Sequence, residues 1–328
     1  DEKYLAIDFA RKELAGNAYI ASLQRGLLAS AATAPMHAPA EAEAALLLVG
    51  QAQQAHGNGM ESEALSSAFQ TALQALAADP AAAPAALSRG RELITRVGNQ
   101  SNLILDPDLD SYYTMSLIVL RVPELLEAVA DLSRHIDQPR AAGNGAAHEA
   151  SARFLLLEGR LDTSRRALES DYAEAFAAGG TSTQAALTPS KLALLAALAR
   201  YREAARAAQS SSNAGPALQE AHGLLLNRLG DAWGAAGRNM DRLIHQRIDG
   251  FFARMWLHLG TALGLLALIL SAVFFVARQI ALPLKRLAGV TDRVRLTGDH
   301  SLRASWDSRD EIGRLVLGFN DMLAQLDR

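Results

Sequence analysis

Residues Met255 to Ala277 read M-W-L-H-L-G-T-A-L-G-L-L-A-L-I-L-S-A-V-F-F-V-A, with no formally charged side chain between Arg254 and Arg278. As a helix this run spans about 35 Å, enough to cross a hydrocarbon core of about 30 Å with some tilt. Buried core helices of soluble proteins rarely hold so long a charge-free run, so 255–277 is expected to be a membrane helix. Trp256 and His258 at one end and Phe274 and Phe275 at the other fall near the interfaces, where such side chains are common. Arg278, Lys285, Arg286, Arg293 and Arg295 follow the run, against Asp292 and Asp299. Cytoplasmic flanks carry such an excess of cations. The preceding flank is more balanced, with Arg238, Arg242, Arg247 and Arg254 interleaved with Asp241 and Asp249. The expected layout is an outer domain over 1–254 facing the periplasm or exterior, a span over 255–277, and a cytoplasmic segment over 278–328.

The rest of the chain reads as helix throughout. It is rich in alanine, the best helix former, and holds only 10 prolines and 5% aromatics. With no cysteine, disulfides, thiolate chemistry and Cys-type metal sites are excluded. A net charge of −3 and a pI near 6.3 argue against a nucleic-acid partner, which needs a basic face. The sequence opens D-E-K-Y-L-A-I-D-F-A without a signal peptide. An exported domain needs an export signal, so an upstream membrane helix or signal outside this sequence is expected.

Helical spacing of Leu5, Phe9, Ile20, Leu23 and Leu27 predicts a first helix over Leu5 to Leu28, broken at Thr33 to Pro39. Helices over Glu41 to Ala55 and Ser62 to Ala78 flank the turn His56 to Gly59, and a fourth runs from Leu87 to Leu105. Asp106 followed by Pro107 predicts an N-cap with proline at the first helical position. This fifth helix runs to about Ile136, with Leu109, Tyr113, Leu117 and Leu120 on one face. A phase shift at Pro123, which removes the bond to the Val119 carbonyl, predicts a kink. A loop at Gly143 to Gly145 precedes a sixth helix over Glu149 to Ala178, which G-G-T-S-T ends, and a seventh covers Ser190 to Gln209. An eighth begins near Gly215 with the stripe Leu225, Leu229, Trp233, Ala236, Met240, Leu243, Arg247 and Phe251, broken only at Arg247, and continues into the span. Eight helical segments predict an all-α domain, as two stacked four-helix bundles.

After the span, Ile280, Leu284, Leu287, Thr291 and Val294 repeat at heptad-like spacing, as do Ile312, Leu315, Phe319, Met322 and Leu326 beyond a connector. Neither short helix can bury its stripe alone, and two copies of the pair would form a parallel four-helix coiled coil. Pro283 in L-P-L-K-R-L, D-E-I-G at Asp310 to Gly313 and F-N-D-M-L at Phe319 to Leu323 resemble a HAMP linker domain over Ala277 to Arg328. That resemblance implies a parallel homodimer joining a membrane helix to an intracellular output domain. Pro283 would mark the entry of the first helix and Glu311 would hold the start of the second against the first. The relay would run through Leu287, Val294, Ile312, Leu315, Phe319 and Met322.

F-A-R-K-E-L-A-G-N-A-Y at Phe9 to Tyr19 and S-N-L-I-L-D-P-D-L-D-S-Y-Y-T-M at Ser101 to Met115 are similar to periplasmic helical domains of bacterial sensor histidine kinases, chemoreceptors and diguanylate cyclases. The resemblance implies stimulus sensing in a two-component system, with a response regulator as downstream partner. ATP and Mg would be needed only in a kinase domain beyond Arg328. The alternatives are a methyl-accepting chemoreceptor or a diguanylate cyclase sensor.

No catalytic motif is found. None of the eight histidines has a second histidine at i+3 or i+4, so no metal site or cofactor is expected here. Helix bundles hold small ligands between facing helices. The candidates are Asn99, Asn102, Asp110, Tyr112 and Tyr113 around the fourth junction, with Arg96 as a carboxylate clamp. The stimulus is either a small molecule at these residues or a periplasmic partner protein.

Overall fold

The computed structural model describes residues 2–32, 38–138, 144–210, 215–306 and 308–327. Every regular element among them is helical. The chain divides into two units, Asp1–Phe251 and Phe252–Arg328.

In the first unit, α1 (Glu2–Ala31), α2 (Ala38–His56), α3 (Glu63–Ala78) and α4 (Ala83–Gln100) pack as one group, α1 meeting α2 and α4, and α3 meeting both α2 and α4. The approach is close where side chains are absent: a Cβ on Gly90 would meet Leu27 Cδ1 at 2.8 Å. The second group is α5 (Leu109–Ser116), α6 (Val122–Asp137), α7 (Asn144–Ser210) and the start of α8 (Gly215–Thr297). α7 is two arms meeting at Gly180, whose φ of 62° glycine adopts readily. Four and four is the expected grouping. Residue pairs 13 with 247, 17 with 237 and 28 with 230 set α1 antiparallel to α8. One continuous core therefore runs through both groups, with Trp233, Tyr19, Tyr172, Tyr201 and Phe69 fully buried.

Several local expectations change. The breaks expected at Thr33 to Pro39 and Gly143 to Gly145 fall in part outside the described residues, and helix resumes at Ala38 and Asn144. The fourth helix spans Ala83–Gln100, and Leu103–Leu105 is a separate 3₁₀ turn after Asn102, which sits at φ 66°. Asp106 and Pro107 lie before α5, not at its cap. Asp106 Oδ1 accepts from the Asp108 backbone N–H at 3.0 Å and from Ser111 Oγ at 2.8 Å, folding a local turn that delays the helix to Leu109. The buried side of α5 is Ser111, Thr114 and Met115, whereas Leu109 and Leu120 are exposed, so the inner face is rotated from the expected one.

The phase shift near Pro123 has a specific cause. Leu117–Arg121 is a π-turn in which the Val122 N–H bonds the Leu117 carbonyl, five residues back. In that register Ile118 would be answered by residue 123, which is proline and has no N–H. The indole N–H of Trp233 on α8 donates to the Ile118 carbonyl instead, at 3.0 Å. On the opposite flank, Asp171 of α7 accepts from Ser116 Oγ at 2.6 Å and from Arg121 Nε at 2.8 Å, gripping both ends of the turn. The seventh helical segment begins directly after Gly180, with Pro189 inside it; the break at Gly180 already reverses the chain.

In the second unit, residues 256–277 of α8 are all exposed, and this helix is long and apolar enough to cross a membrane. Gly298, at φ 68°, ends α8, its N–H bonding the Val294 carbonyl at 2.9 Å. α9 (Glu311–Leu326) starts at Asp310, whose carboxylate accepts from the Gly313 N–H at 2.8 Å. A Cβ at Gly313 would lie 1.8 Å from the Ser308 carbonyl oxygen, so this position in D-E-I-G needs glycine. Asn320 binds both backbone groups of Ala304 at 2.9 and 2.8 Å, pinning the connector to α9. The unit's core is Val290, Ala304 and Val316, flanked by Leu287, Val294, Leu302, Trp306 and Phe319.

Candidate functional site: a buried ionic junction and an open groove

α8 turns an apolar stripe toward the core of the first unit, and the one cation in that stripe, Arg247, is drawn inside it. Its side chain is only 11% exposed. Nη1 lies 3.0 Å from Glu13 Oε2 on α1. Nη2 lies 2.7 Å from Asp106 Oδ1 and 2.6 Å from Ser111 Oγ. Nε faces Asp108 Oδ2 at 2.8 Å. One turn along, Asn17 donates to the Gly237 carbonyl at 2.9 Å and to Asp241 Oδ1 at 2.8 Å. A single guanidinium thus ties α1, the segment before α5 and α8 together, about two turns of helix ahead of Met255.

The carboxyls outnumber the cation inside. Glu13 and Asp106 side chains have no exposed surface. Burial, then the Asp106 charge beside it, push Glu13 up to about 8, with Arg247 pulling in the opposite sense. Burial opposes the Arg247 charge, yet Asp106, Glu13 and Asp108 together hold the guanidinium above its ordinary value. Glu13 Oε1, Asp106 Oδ2 and Asn17 Oδ1 are buried without a hydrogen-bond partner among the described residues.

The residues expected to bind a ligand are divided by the structure. Arg96 and Asn99 line an open groove of about 720 Å³ with Leu65, Arg91, Thr95 and Glu127. Arg96 Nη1 is 3.2 Å from Glu61 Oε2, and Arg91 pairs with Glu127 across the groove. Asn102 is the left-handed residue of the following turn, its carbonyl accepting from the Leu105 N–H at 2.9 Å. Asp110 accepts from the Ser111 N–H at 2.8 Å, and Tyr112 and Tyr113 pack edge to face at 5.3 Å on α5, away from the groove lining. His222 is a core residue whose ring packs at a tilt against Tyr201, and burial pushes it down to about 4.

Of the relay residues, Pro283 is buried, and Leu287, Val294 and Phe319 pack on the second core. Ile312 is half-buried, while Leu315 and Met322 stay exposed with Ile280, Leu284 and Leu326. Glu311 does not reach the first helix within one copy. Its side chain is 86% exposed and pairs with Arg314 on its own helix at 2.9 Å, because Asp310 takes the capping position.

The junction at Glu13, Asn17, Asp106 and Arg247 was not among the expected site residues. Its one sequence signal is the interruption of the α8 stripe at Arg247.

No curated protein and no solved structure matches the chain. Residues 275–328 match the family model described as HAMP domain, and with the long apolar helix this match supports a membrane-anchored transducer that relays a signal across the bilayer.

Proposed function

We propose that residues 1–254 sense a stimulus in the periplasm and that α8 carries their state through the inner membrane to a dimeric HAMP relay and on to an output domain. The supporting observation is α8 itself: one helix, Gly215–Thr297, contributes Trp233 and Arg247 to the first unit, then the apolar run, then Leu287 and Val294 to the HAMP segment. The exposed Ile280, Leu284, Leu315, Met322 and Leu326 favour a second copy as the partner of that segment. The output that best fits the sequence resemblance is a sensor histidine kinase passing phosphate to a response regulator. The groove at Arg96 and Asn99 is the candidate entry point for a small-molecule stimulus, and Tyr112 and Tyr113 offer a second surface for a periplasmic partner protein.

The test uses the parent protein in lipid nanodiscs with Pro283→Ala or Glu311→Ala. Autophosphorylation from ATP and Mg should change in its ligand-free set point in both variants. Unchanged output in both would reduce the HAMP segment to a spacer, and absence of any phosphorylation would move the output to a chemoreceptor hairpin or a cyclase. A thermal-shift screen with Arg96→Ala as control locates the stimulus site, since saturation at a hundredfold excess over Kd adds about 2.7 kcal/mol of stability.

A further inference from the structure

We propose that the Glu13, Asp106 and Arg247 junction is a proton-operated latch between α1 and α8, closed while Glu13 holds a proton and loosened when that proton leaves. The proposal rests on the reading of α8 as the signalling helix, and it names external pH, on its alkaline side, as a stimulus.

The geometry carries the argument. α1 contributes Glu13 and, one turn on, Asn17; the segment before α5 contributes Asp106 and Asp108; α5 contributes Ser111; α8 contributes Arg247, and Asp241 bonded to Asn17. Arg247 gives one terminal nitrogen to each buried carboxyl, and its Nε faces Asp108 at the rim, where that side chain is 56% exposed. One positive charge therefore answers two carboxyls that have no contact with solvent. With a proton on Glu13, the enclosed charge of Glu13, Asp106 and Arg247 sums to zero. Without it, two buried anions face one cation, and burial of an uncompensated charge is strongly unfavourable. A proton on Glu13 also supplies a donor in a place where Glu13 Oε1 and Asp106 Oδ2 have no partner among the described residues.

The direction of the Glu13 shift agrees: burial and Asp106 hold its proton up to about 8. A carboxyl whose folded value lies above its unfolded one stabilises the fold fully below the ordinary carboxylate range. That contribution is lost as pH rises through the folded value. The latch is therefore firmest in acid, weakens as pH rises from the ordinary carboxylate range towards the folded value, and is weakest in mild alkali.

The experiment is hydrogen exchange of the full chain in lipid nanodiscs at pH 6 and pH 9, comparing wild type with Glu13→Gln at the same pH so that intrinsic exchange rates cancel. The infrared band of protonated carboxyl is followed in parallel. At pH 6 the two proteins should match over 8–20 and 240–252. At pH 9 the wild type should lose protection there, the opening equilibrium having risen by up to about tenfold per pH unit between the ordinary carboxylate range and the folded value and levelling off above it, while Glu13→Gln stays closed. Equal protection at pH 9, or a protonated-carboxyl band that Glu13→Gln leaves intact, overturns the proposal. Should Glu13→Gln fail to fold at pH 6, Asp106→Asn decides: it removes the like charge, so the transition must move to lower pH, and an unmoved transition overturns the latch. These readouts report protonation and local opening, not output, so their failure leaves the relay through α8 to stand or fall on the Pro283 and Glu311 variants.

Discussion

Around Trp233 the α8 helix is enclosed by α1, the π-turn and α7, whereas from Phe252 onward the same helix shows most of its apolar side chains to the outside. The first unit is self-sufficient: its core is continuous from α1 to Ile244, and even its odd carbonyl at Ile118 has a donor. The second unit closes only around Val290, Ala304 and Val316. The contrast teaches where each unit takes its stability from: the first from its own packing, the second, on the proposed function, from a bilayer and a second copy.

That contrast can be broken most severely at Arg247. Arg247→Ala leaves Glu13 and Asp106 buried without a counter-charge and should destabilise the first unit by about 3–5 kcal/mol at neutral pH, measured by denaturant unfolding. Trp233→Phe keeps most of the packing but strips the donor from the Ile118 carbonyl, and should cost about 1–3 kcal/mol in the same measurement. Asp310→Ala moves to the other side of the comparison. Loss of the acceptor for the Gly313 N–H should appear as faster exchange confined to 310–316, with the first unit untouched. Smallest in stability is Leu315→Gln with Met322→Gln, expected to shift unfolding of the first unit by less than about 0.5 kcal/mol. The same pair should abolish cross-linking between copies through the HAMP segment. A loss of stability in the first unit there would erase the distinction between the two.

Local signals were legible in the sequence. The charge-free run, the helical periods and the residues Pro283, Asp310 to Gly313 and Phe319 to Leu323 each act within a few turns of themselves, so spacing alone exposes them. The turn at Asp106 was misjudged because its carboxylate holds the Asp108 N–H and Ser111 Oγ in a local turn and also accepts from Arg247, 141 residues away. Glu13 sits in F-A-R-K-E-L, where nothing distinguishes a buried acid from a solvated one. The expected face of α5 was wrong for a different reason: the phase shift was placed at Pro123 whereas the π-turn already begins at Leu117, which takes Leu120 off the inner face, and Leu109 stands exposed at the first residue of α5. Of the expected ligand residues, Arg96 and Asn99 share α4 and stay together, while those beyond Asn102 part from them at its left-handed turn.

The π-turn also makes a statement about length. An α-helix with a π-turn holds one residue more than its pitch accommodates, so Leu117–Arg121 is a stretch where the chain can shorten by one residue without losing its helix. Such a deletion would bring α5 and α6 into phase and swing Ser111 and Thr114 by roughly 100° away from Arg247 and Asn239. A single-codon deletion between 117 and 121 would then act as a rotational switch in a protein that still folds, uncoupling the two ends of α5 to α6 more cleanly than any side-chain replacement.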